Sequence, residues 1–568
     1  MSQETPLDQG DGAGSPARLR TVPALWFAAL AEPRTKPAYL VERDDAWEPM
    51  TWSEAAERVS ELANGLLALG ISKGDAFGIL ASTRVEWVLF DYALDHAEAI
   101  GVLVENDEQR AKLSEVRNDT PRVEHVLSFA GLDDLAARGR DFASAHPRAL
   151  DQATQAIGED DLYTFIFTSG TTGPPKACMI RHRNAYEMAS VFGASGGLAV
   201  RGDVVLLWLP LAHNFGRFLH LAGAHIGFTT AFCSDPHRLA EALPHVRPTL
   251  LPSVPRIFEK VYDATRSAFD QQTGVRRALV DWALRVGRRA SVRRSEGRPL
   301  PPGLALQHRL AGLLVYSKFK QRLGGRIRLA ISGAAPLSVE ISEFFHALDV
   351  LILEGYGLTE CTAGASVNRP DHFRFGTVGL PLPHVEAKTA PDGELLLRGP
   401  TVFAGYYKNE EATRALFDED GWLRTGDVAE IDSDGFIRIT DRKKDILVTA
   451  GGKKVAPQNL ENELRNSKFV SQALVVGDRR PYIVALLTLD RAELDAAGIS
   501  GDTAVEAIAQ GIVDDVNRGR TGFEQIKRFA ILPRDFSAEE GEITPTLKLK
   551  RRVCQEHFAP EIDALYRD

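Results

Sequence analysis

The sequence of 568 residues contains little sulfur, with four cysteines and four methionines. The cysteines lie far apart and form no C-x-x-C pair, which excludes a disulfide framework or a cysteine-rich zinc site and fits a reducing compartment. No run of residues approaches the roughly 18 to 20 apolar positions that cross a bilayer. The sequence therefore predicts a cytoplasmic protein, with membrane association left open only as peripheral contact.

The sequence also has fewer basic than acidic residues, 67 Lys and Arg against 77 Asp and Glu, and its net charge is −10. Nucleic acid is bound mainly through clustered cations, so we do not expect it as a partner. One stretch departs from this balance: from Arg285 to Arg328 there are many basic residues and a single acid, Glu296. This stretch is either a solvated helix surface or a patch for anionic lipid head groups or coenzyme A phosphates.

The first 20 residues lack the apolar core of a secretory signal, and we expect them to form a disordered lead. The chain as a whole has the composition of a soluble globular protein, 44% hydrophobic and 25% charged. We find no internal repeat. The length is sufficient for several domains or for one large catalytic unit with a small one.

Strand-like and helix-like segments alternate through the first part of the chain. Short β-branched or aromatic runs at 163–168, 204–209, 327–332 and 350–353 predict strands, and amphipathic stretches at 53–69 and 236–243 predict helices. This alternation is typical of an α/β protein with largely parallel sheets.

After about residue 390 the pattern changes to hairpins with Gly-Asp turns, at 393–399 and 434–440. A final α+β module follows, with predicted strands at 472–476 and 483–489 and predicted helices at 458–466 and 503–517. We place the domain boundary in the charged cluster at 441–444.

The sharpest local motif is TSGTTGPPK at 168–176, which follows a predicted buried strand. Its glycines let backbone N–H groups converge on an anion, its hydroxyls add donors, and Lys176 supplies charge, so it predicts a phosphate-binding loop. It differs from a Walker A loop, because two prolines precede the lysine and no hydroxyl follows it. Taken alone, such a loop is more often a surface turn.

Further motifs follow in order: SGAAPL at 332–337, YGLTE at 356–360, GWLRTGD at 421–427, DRKKDI at 441–446, AGGKKVAP at 450–457 and TPTLKLK at 544–550. Together with the loop they resemble the signatures of the adenylate-forming superfamily, which contains acyl-CoA synthetases, luciferases and peptide-synthetase adenylation domains. The matches span roughly residues 160–550. The sequence departs from the usual pattern at Ala177, Ala334 and Leu547, and none of these changes removes a charged or hydroxyl group.

The resemblance implies an ATP-binding set drawn from several motifs. Its members are Thr168, Ser169, Gly170, Thr171, Thr172, Gly173, Lys176, Gly333, Ala334, Ala335, Gly355, Tyr356, Gly357, Thr359, Asp427 and Arg442. It implies that Tyr356 stacks near the adenine, that Thr359 meets the α-phosphate, and that Asp427 and Arg442 lie at the ribose. Glu360 is implied as the ligand of Mg²⁺, an ion that prefers hard oxygen donors.

The resemblance places the remaining roles mainly in the C-terminal part. Lys548 is implied as the catalytic lysine, acting with Thr359 and Glu360, and Lys550 is its nearest rival. Lys444 is implied as the hinge. Residues Gly451, Gly452 and Lys453 are implied to line the tunnel for the thiol.

One candidate lies outside these motifs. His213 resembles a position at the wall of the acyl pocket, although a lone histidine is more often structural.

The implied fold is a large N-terminal domain over 21–440, built of layered αβαβα sheets with a β-barrel-like subdomain, and a small mobile α+β domain over 441–568. The implied activity forms an acyl-adenylate from ATP and a carboxylic acid and passes the acyl group to coenzyme A. The stretch 316–337 is most similar to bacterial long-chain fatty acid-CoA ligases.

Several readings compete with this one. The acceptor could be a carrier protein, or the acid could be of medium chain length or aromatic. A non-catalytic nucleotide regulator and an ADP-forming phosphotransferase are alternatives of different classes. The sequence leaves open whether the protein is a monomer or a homodimer.

Overall fold

The computed structural model describes residues 19–44, 46–94, 98–168, 175–537, 539–543 and 549–567. Its strands are β1 Tyr39–Arg43, β2 Ala46–Met50, β3 Asp75–Leu80, β4 Glu98–Val104, β5 His125–Ser128, β6 Leu162–Thr168, β7 Lys176–Arg181, β8 Val204–Leu207, β9 Thr229–Phe232, β10 Leu250–Ser253, β11 Leu329–Ser332, β12 Leu351–Tyr356, β13 Ser366–Val367, β14 Leu380–Pro381, β15 Glu386–Thr389, β16 Glu394–Arg398, β17 Leu423–Ile431, β18 Ile437–Arg442, β19 Leu447–Val448, β20 Lys454–Val455, β21 Val470–Val476, β22 Ile483–Leu489 and β23 Ile526–Ile531.

The α-helices surround these strands. They are α1 Val22–Ala31, α2 Trp52–Ala68, α3 Val85–Ala93, α4 Asp107–Glu115, α5 Leu132–Ala145, α6 Ala149–Gln155, α7 His182–Ala194, α8 Asn214–Ile226, α9 Leu239–Val246, α10 Pro255–Asp270, α11 Gly274–Ser295, α12 Pro302–Ala311, α13 Ser317–Arg322, α14 Val339–Ala347, α15 Glu410–Ala415, α16 Pro457–Leu464, α17 Arg491–Ala496, α18 Asp502–Asn517, α19 Arg551–His557 and α20 Ala559–Ala564. Short 3₁₀ turns lie at Arg117–Asp119, Phe129–Gly131, Pro236–Arg238 and Thr359–Cys361, and a π turn at Gly312–Tyr316 joins α12 to α13.

A nine-stranded sheet forms the centre of the larger part of the molecule, in the order β14-β13-β12-β11-β10-β8-β9-β1-β2. The strands from β12 to β1 run parallel, and antiparallel pairs close both edges. Strands such as β11 and β9 are buried at every position, as expected of a parallel sheet covered on both faces. The prediction of an α/β protein with largely parallel sheets is confirmed.

A four-stranded antiparallel sheet, β15 to β18, follows in the region where the sequence predicts Gly-Asp hairpins. Its turns pass through Gly393 and Gly435, both with positive φ, which a residue with a Cβ rarely adopts. The predicted strand at 204–209 ends two residues early, at Leu207. The helix predicted at 236–243 begins as a 3₁₀ turn and continues to Val246.

The C-terminal part is built on the three-stranded sheet β21-β22-β23. Alternate side chains of β22 enter different cores: Ala485 packs with α16 and α18, and Leu486 packs with α19 and α20. The core of the larger part contains buried residues from Val22 to Ile437 only. Each of the two parts therefore buries its own apolar side chains.

All four cysteines are buried and unpaired, in agreement with the sequence prediction. Among the described helices none combines the length and apolar character required to cross a membrane.

Candidate active site

The predicted phosphate loop joins β6 to β7, and residues 169–174 of it lie outside the described residues. Its two ends are antiparallel partners, because Thr168 pairs with Lys176 across the hairpin. Residues 404–407 extend this hairpin: Met179 N–H donates to the Gly405 carbonyl at 2.9 Å, and Tyr407 N–H donates to the Ala177 carbonyl at 2.9 Å. This pairing brings Tyr406 to the base of the loop.

Tyr406 connects the loop to the YGLTE motif. Its hydroxyl donates to Glu360 Oε1 at 2.6 Å, and the Lys176 ammonium lies 4.9 Å from the centre of its ring. Burial, and then the Glu360 carboxylate, raise the pKa of Tyr406, so the phenol remains a donor at any physiological pH. One aromatic side chain thus contacts a cation through its ring and an anion through its hydroxyl.

A tight turn presents Thr359 and Glu360. A Cβ at Gly357 would lie 1.4 Å from the Ala363 carbonyl oxygen, so only glycine fits there. Thr362 and Ala363 both have positive φ, at 48° and 88°, a conformation that costs energy for residues with a Cβ. The chain keeps a strained turn at the point where the resemblance places the α-phosphate.

A second cluster forms around Asp427 on β17. Tyr356, at the end of β12, donates from its hydroxyl to Asp427 Oδ2 at 2.5 Å. Arg442, the partner of Asp427 in the β17–β18 register, lies with Nε 3.3 Å from Oδ1. Asp427 is 5% exposed. A nearly buried carboxylate is therefore contacted by an aromatic hydroxyl and a guanidinium from two separate motifs.

The predicted adenine-side turn 333–335 follows β11. A Cβ on Gly333 would lie 3.3 Å from the Phe215 ring and 3.8 Å from the Gly355 carbonyl, so this glycine fits between α8 and β12. Ala334 has φ of 72°, the backbone conformation that glycine would adopt more easily. His213 is the N-cap residue of α8, one turn before Arg217.

Glu354 was not predicted from the sequence. It lies in the buried strand β12, two residues before Tyr356, and accepts a hydrogen bond from Leu337 N–H at 3.0 Å. Burial raises the pKa of this carboxyl to about 7. An acid within the apolar run LILEGY was the signal that could have identified it. Tyr406 had no comparable signal, since its partner is 46 residues away in the chain.

The hinge motif continues from Arg442. Burial raises the pKa of Asp441 to about 6, and its Oδ1 accepts from Arg442 N–H at 2.6 Å. Burial, followed by Arg442, lowers the pKa of Lys444, while Asp445, Asp427 and Glu360 act in the opposite direction. The predicted hinge residue is therefore within electrostatic reach of carboxylates from the predicted nucleotide motifs.

The predicted thiol-tunnel loop lies between β19 and β20, in the C-terminal part. Gly451, Gly452 and Lys453 are exposed, and the Lys453 ammonium lies 5.7 Å from the centre of the Phe523 ring. The backbone of Ala450 donates to the Arg480 carbonyl at 2.8 Å. These contacts stay within the C-terminal part. Lys548 lies outside the described residues.

Glu360 can coordinate a metal ion only if water or substrate supplies the other ligands. Among the described residues no group of three or more His, Cys, Asp or Glu side chains could hold an ion. One carboxylate fits Mg²⁺, because this ion keeps several waters and is commonly bound by one or two carboxylates together with substrate phosphates.

A family model described as "AMP-binding enzyme" matches residues 26–407, and one described as "AMP-binding enzyme C-terminal domain" matches residues 444–568. The chain is 37% identical to Long-chain-fatty-acid–CoA ligase FadD15 of Mycobacterium tuberculosis, over 94% of this chain and 95% of that protein. It is 31% identical to Long-chain-fatty-acid–CoA ligase 6 of Rattus norvegicus, over 92% of this chain and 83% of that protein.

Solved structures have the same fold. The adenylation domain of a carboxylate reductase from Mycobacterium chelonae superposes with a TM-score of 0.73 at 23% identity, over 98% of this chain and 92% of that domain.

Proposed function

Because the chain belongs to the AMP-binding enzyme family, we propose that it activates a long-chain fatty acid with ATP and transfers the acyl group to coenzyme A. The observation that carries the proposal is the convergence of two charged clusters, Asp427 with Tyr356 and Arg442, and Glu360 with Tyr406 and Lys176. Tyr356 and Glu360 lie four residues apart, so the two clusters adjoin.

The Asp427 cluster suits the nucleoside. Asp427 already accepts from Tyr356, and a carboxylate has room for about four donors, so adjacent ribose hydroxyls can be added. Arg442 places a positive charge beside this carboxylate. The ring of Tyr356 offers an apolar face for adenine.

The Glu360 cluster suits the phosphates. Lys176 and the loop 168–176 would supply positive charge and N–H donors, and Glu360 would hold Mg²⁺ with Tyr406 fixing its orientation. When bound, the ion neutralises charge on the polyphosphate. The chain's own contribution is to keep these groups in place before the substrates arrive, because preorganised charges cost no reorganisation during reaction.

In the first half-reaction a carboxylate oxygen of the acid bonds to the α-phosphorus of ATP, and the bond to pyrophosphate breaks. Thr359 and Lys548 would stabilise the negative charge on the phosphoryl oxygens. In the second half-reaction the coenzyme A thiolate bonds to the acyl carbon, and AMP leaves with the electron pair. Neither step requires a covalent bond to a protein side chain.

The proposed division of the chain at residues 440 and 441 assigns the two half-reactions to two orientations of the C-terminal domain. Lys444 would be the pivot, and the exposed loop with Gly451, Gly452 and Lys453 would face the thiol after rotation. Burial lowers the pKa of Lys444, and the carboxylates of Asp427 and Glu360 oppose that shift. Its place between the last buried residue of the main core, Ile437, and the first of the C-terminal core, Leu447, supports its role as the hinge.

The long acyl chain is supported by the names of the relatives, and His213 is proposed at the wall of the acyl pocket. The test is an acid-dependent pyrophosphate-release screen over fatty acids of graded length, with and without coenzyme A. AMP and pyrophosphate should appear, with rates rising toward long chains. Release of ADP would contradict adenylation, and an equal rate at every length would contradict the long-chain preference.

The division of labour has its own test in Lys548→Ala, with Lys550→Ala as the matched control. We expect Lys548→Ala to lose on the order of 10² to 10³ in adenylation rate while it still converts supplied acyl-AMP to acyl-CoA. Lys550→Ala should retain both activities. Equal loss of the two half-reactions in Lys548→Ala would contradict the proposal.

A further inference from the structure

The segment from α12 through the π turn to α13 is one continuous helical stretch with two apolar faces. The inner face packs into the main core through Leu304, Ala311, Val315 and Phe319, whose spacings of seven, four and four residues are those of one helical face. This face accounts for the helix as part of the fold. It does not account for the other leucines of the same segment.

The outer face carries four leucines that the fold leaves in solvent. Leu306 is 61% exposed, Leu310 44%, Leu313 68% and Leu314 48%. Their spacing of four, three and one residues places them on one side of the helix. We call this set the leucine face. Exposed apolar residues scattered singly are ordinary, whereas four on one helical face form a patch that requires an explanation.

The surroundings of the leucine face are strongly basic. Residues 274–328 contain fourteen Arg and Lys residues and two acids, Asp281 and Glu296, in a chain whose net charge is −10. Arg309 lies three residues after Leu306, and Lys318 four residues after Leu314, so cations adjoin the leucines on the helix surface. On α11, which packs against α12, the exposed side carries Arg285, Arg288 and Arg289.

Among the described residues, most of these cations have no carboxylate partner. Asp281 and Glu296 pair with Arg277 and Arg298, and Asp349 pairs with Arg294 and Lys320. Arg277 also pairs with Asp270, and Arg328 pairs with Asp203. The remaining nine basic residues of 274–328 form no ion pair within the part of the chain that the structure describes. Their charge is available to an external anion.

We infer that the leucine face and its surrounding cations bind the surface of a bilayer containing anionic lipid. The leucines would enter the boundary between head groups and acyl chains, and the arginines and lysines would lie at the level of the phosphates. A helix with an apolar face bordered by Lys and Arg is the arrangement that lies in a membrane interface without spanning it.

Two other occupants fit the observations less well. A second copy of the chain across a twofold axis would bring the same basic surface against itself, and the like charges would repel. The phosphates of coenzyme A would explain the cations but not the leucines, because a highly charged ligand gains nothing from an exposed apolar helix face. An anionic bilayer uses both features.

The test uses the full-length protein and flotation with two kinds of vesicle, pure phosphatidylcholine and phosphatidylcholine with about 30% phosphatidylglycerol. We expect binding to the anionic vesicles only, weakened at 0.5 M salt since surface charges are then screened. The quadruple variant Leu306→Gln, Leu310→Gln, Leu313→Gln and Leu314→Gln should bind at least about tenfold less. The thermal midpoint of each variant checks that it is folded.

Matched controls distinguish binding through the leucine face from non-specific adsorption to vesicles. Val116→Gln with Val200→Gln removes exposed apolar residues elsewhere and should bind as the parent does. Arg288→Glu with Arg289→Glu should lower binding about tenfold or more. Arg138→Glu with Arg148→Glu changes the net charge equally on exposed residues elsewhere and should have little effect.

Three results would overturn the inference. The first is equal binding, or no binding, to both kinds of vesicle by the parent protein. The second is undiminished binding by the folded leucine variant. The third is a parent dimer that the leucine variant converts to a monomer, with no vesicle binding by either. Because flotation requires no catalysis, its outcome is independent of the pyrophosphate screen.

Discussion

At the scale of single residues, Tyr406 is the side chain that connects the two charged groups of the proposed phosphate site. It contributes no charge, but its hydroxyl fixes Glu360 at 2.6 Å and its ring lies 4.9 Å from the Lys176 ammonium. Without it, the carboxylate proposed to hold a metal and the lysine proposed to meet phosphate would sample many positions. Tyr406 restricts the positions of both side chains, Glu360 and Lys176.

Replacing Tyr406 with Phe removes the hydrogen bond and keeps the ring. A hydrogen bond to a charged group contributes about 1.5 to 3 kcal/mol, so the rate of acid-dependent pyrophosphate release should fall about 10- to 100-fold. The loss should appear partly as a weaker response to Mg²⁺, since Glu360 is the group set free. The measurement is the rate over a Mg²⁺ titration.

Tyr262→Phe is the matched control, because its hydroxyl donates to Glu340 at 2.7 Å, a carboxylate outside the nucleotide motifs. It removes the same kind of bond and should leave pyrophosphate release within about twofold. Equal losses in the two variants would argue against a positioning role for Tyr406.

Glu354 gives a prediction about pH. In the folded protein the pKa of the Glu354 carboxyl is raised to about 7, from an ordinary value of 4.5. Between these two pH values the carboxyl is protonated in the folded state and ionised in the unfolded chain. Stability from this group is therefore present at low pH and is lost as the pH rises through 7. The Glu354→Gln variant keeps an acceptor for Leu337 N–H without a charge.

We expect Glu354→Gln to raise the free energy of unfolding by up to about 3 kcal/mol at pH 8.5 and to change it little at pH 5. Denaturant unfolding of parent and variant at the two pH values measures the difference. Glu115→Gln, an exposed acid, should show no such dependence. A gain for Glu354→Gln that is the same at both pH values would contradict the raised pKa.

At the scale of elements, glycines determine how closely helices approach. The helices α2 and α5 touch through their backbones: a Cβ on Gly139 would lie 1.9 Å from the Glu61 carbonyl oxygen, and one on Gly65 would lie 2.4 Å from that of Leu135. Backbone atoms cannot move aside as side chains can. The two helices must separate if either glycine gains a methyl group.

Gly139→Ala should therefore destabilise the larger part of the molecule by about 1 to 3 kcal/mol through overpacking. Gly511→Ala in α18 is the control, because nothing lies within 4 Å of its Cβ, and alanine there should stabilise by about 0.5 to 1 kcal/mol. Denaturant unfolding followed by tryptophan fluorescence reports the first change, and circular dichroism reports the second. The prediction fails if Gly139→Ala is as harmless as the control.

The elements were more predictable from the sequence than their contacts. The strands at 472–476 and 483–489 follow from β-branched runs bounded by Gly and Asp, and the structure contains both within β21 and β22. The motifs also identified Asp427 and Tyr356, which the structure brings within hydrogen-bonding distance. Tyr406 could not be found in this way, because its approach to Glu360 depends on a strand pairing between 404–407 and β7 that no local pattern encodes.

At the scale of the whole molecule, α10 is the helix that docks the C-terminal part. Glu259 pairs with Arg465 at 3.6 Å, and Ser267 Oγ donates to Glu493 at 3.1 Å. Burial, and then Glu259, raise the pKa of Asp263 to about 6, and Glu493 also contributes from across the contact. When Asp263 is ionised, it adds negative charge to a contact that already contains several acids.

The contact should therefore be most stable below pH 6 and weaken as the pH rises through that value. Asp263→Asn should retain it at pH 8, which can be measured as the energy transfer between one dye on each part of the molecule. Asp270→Asn on the same helix, where the partner is Arg277, should behave as the parent does. A parent protein whose dye distance does not change between pH 5 and 8 would contradict this account.

The separate cores have a consequence for biosynthesis. Every buried residue of the main core precedes residue 438, and the cores around β21 to β23 contain no residue before Leu447. At about 5 to 20 residues per second, the ribosome needs on the order of ten seconds to complete the remainder of the chain. All residues of the main core have been synthesised before the C-terminal part is complete, so the C-terminal part can be added to a larger part that has already folded.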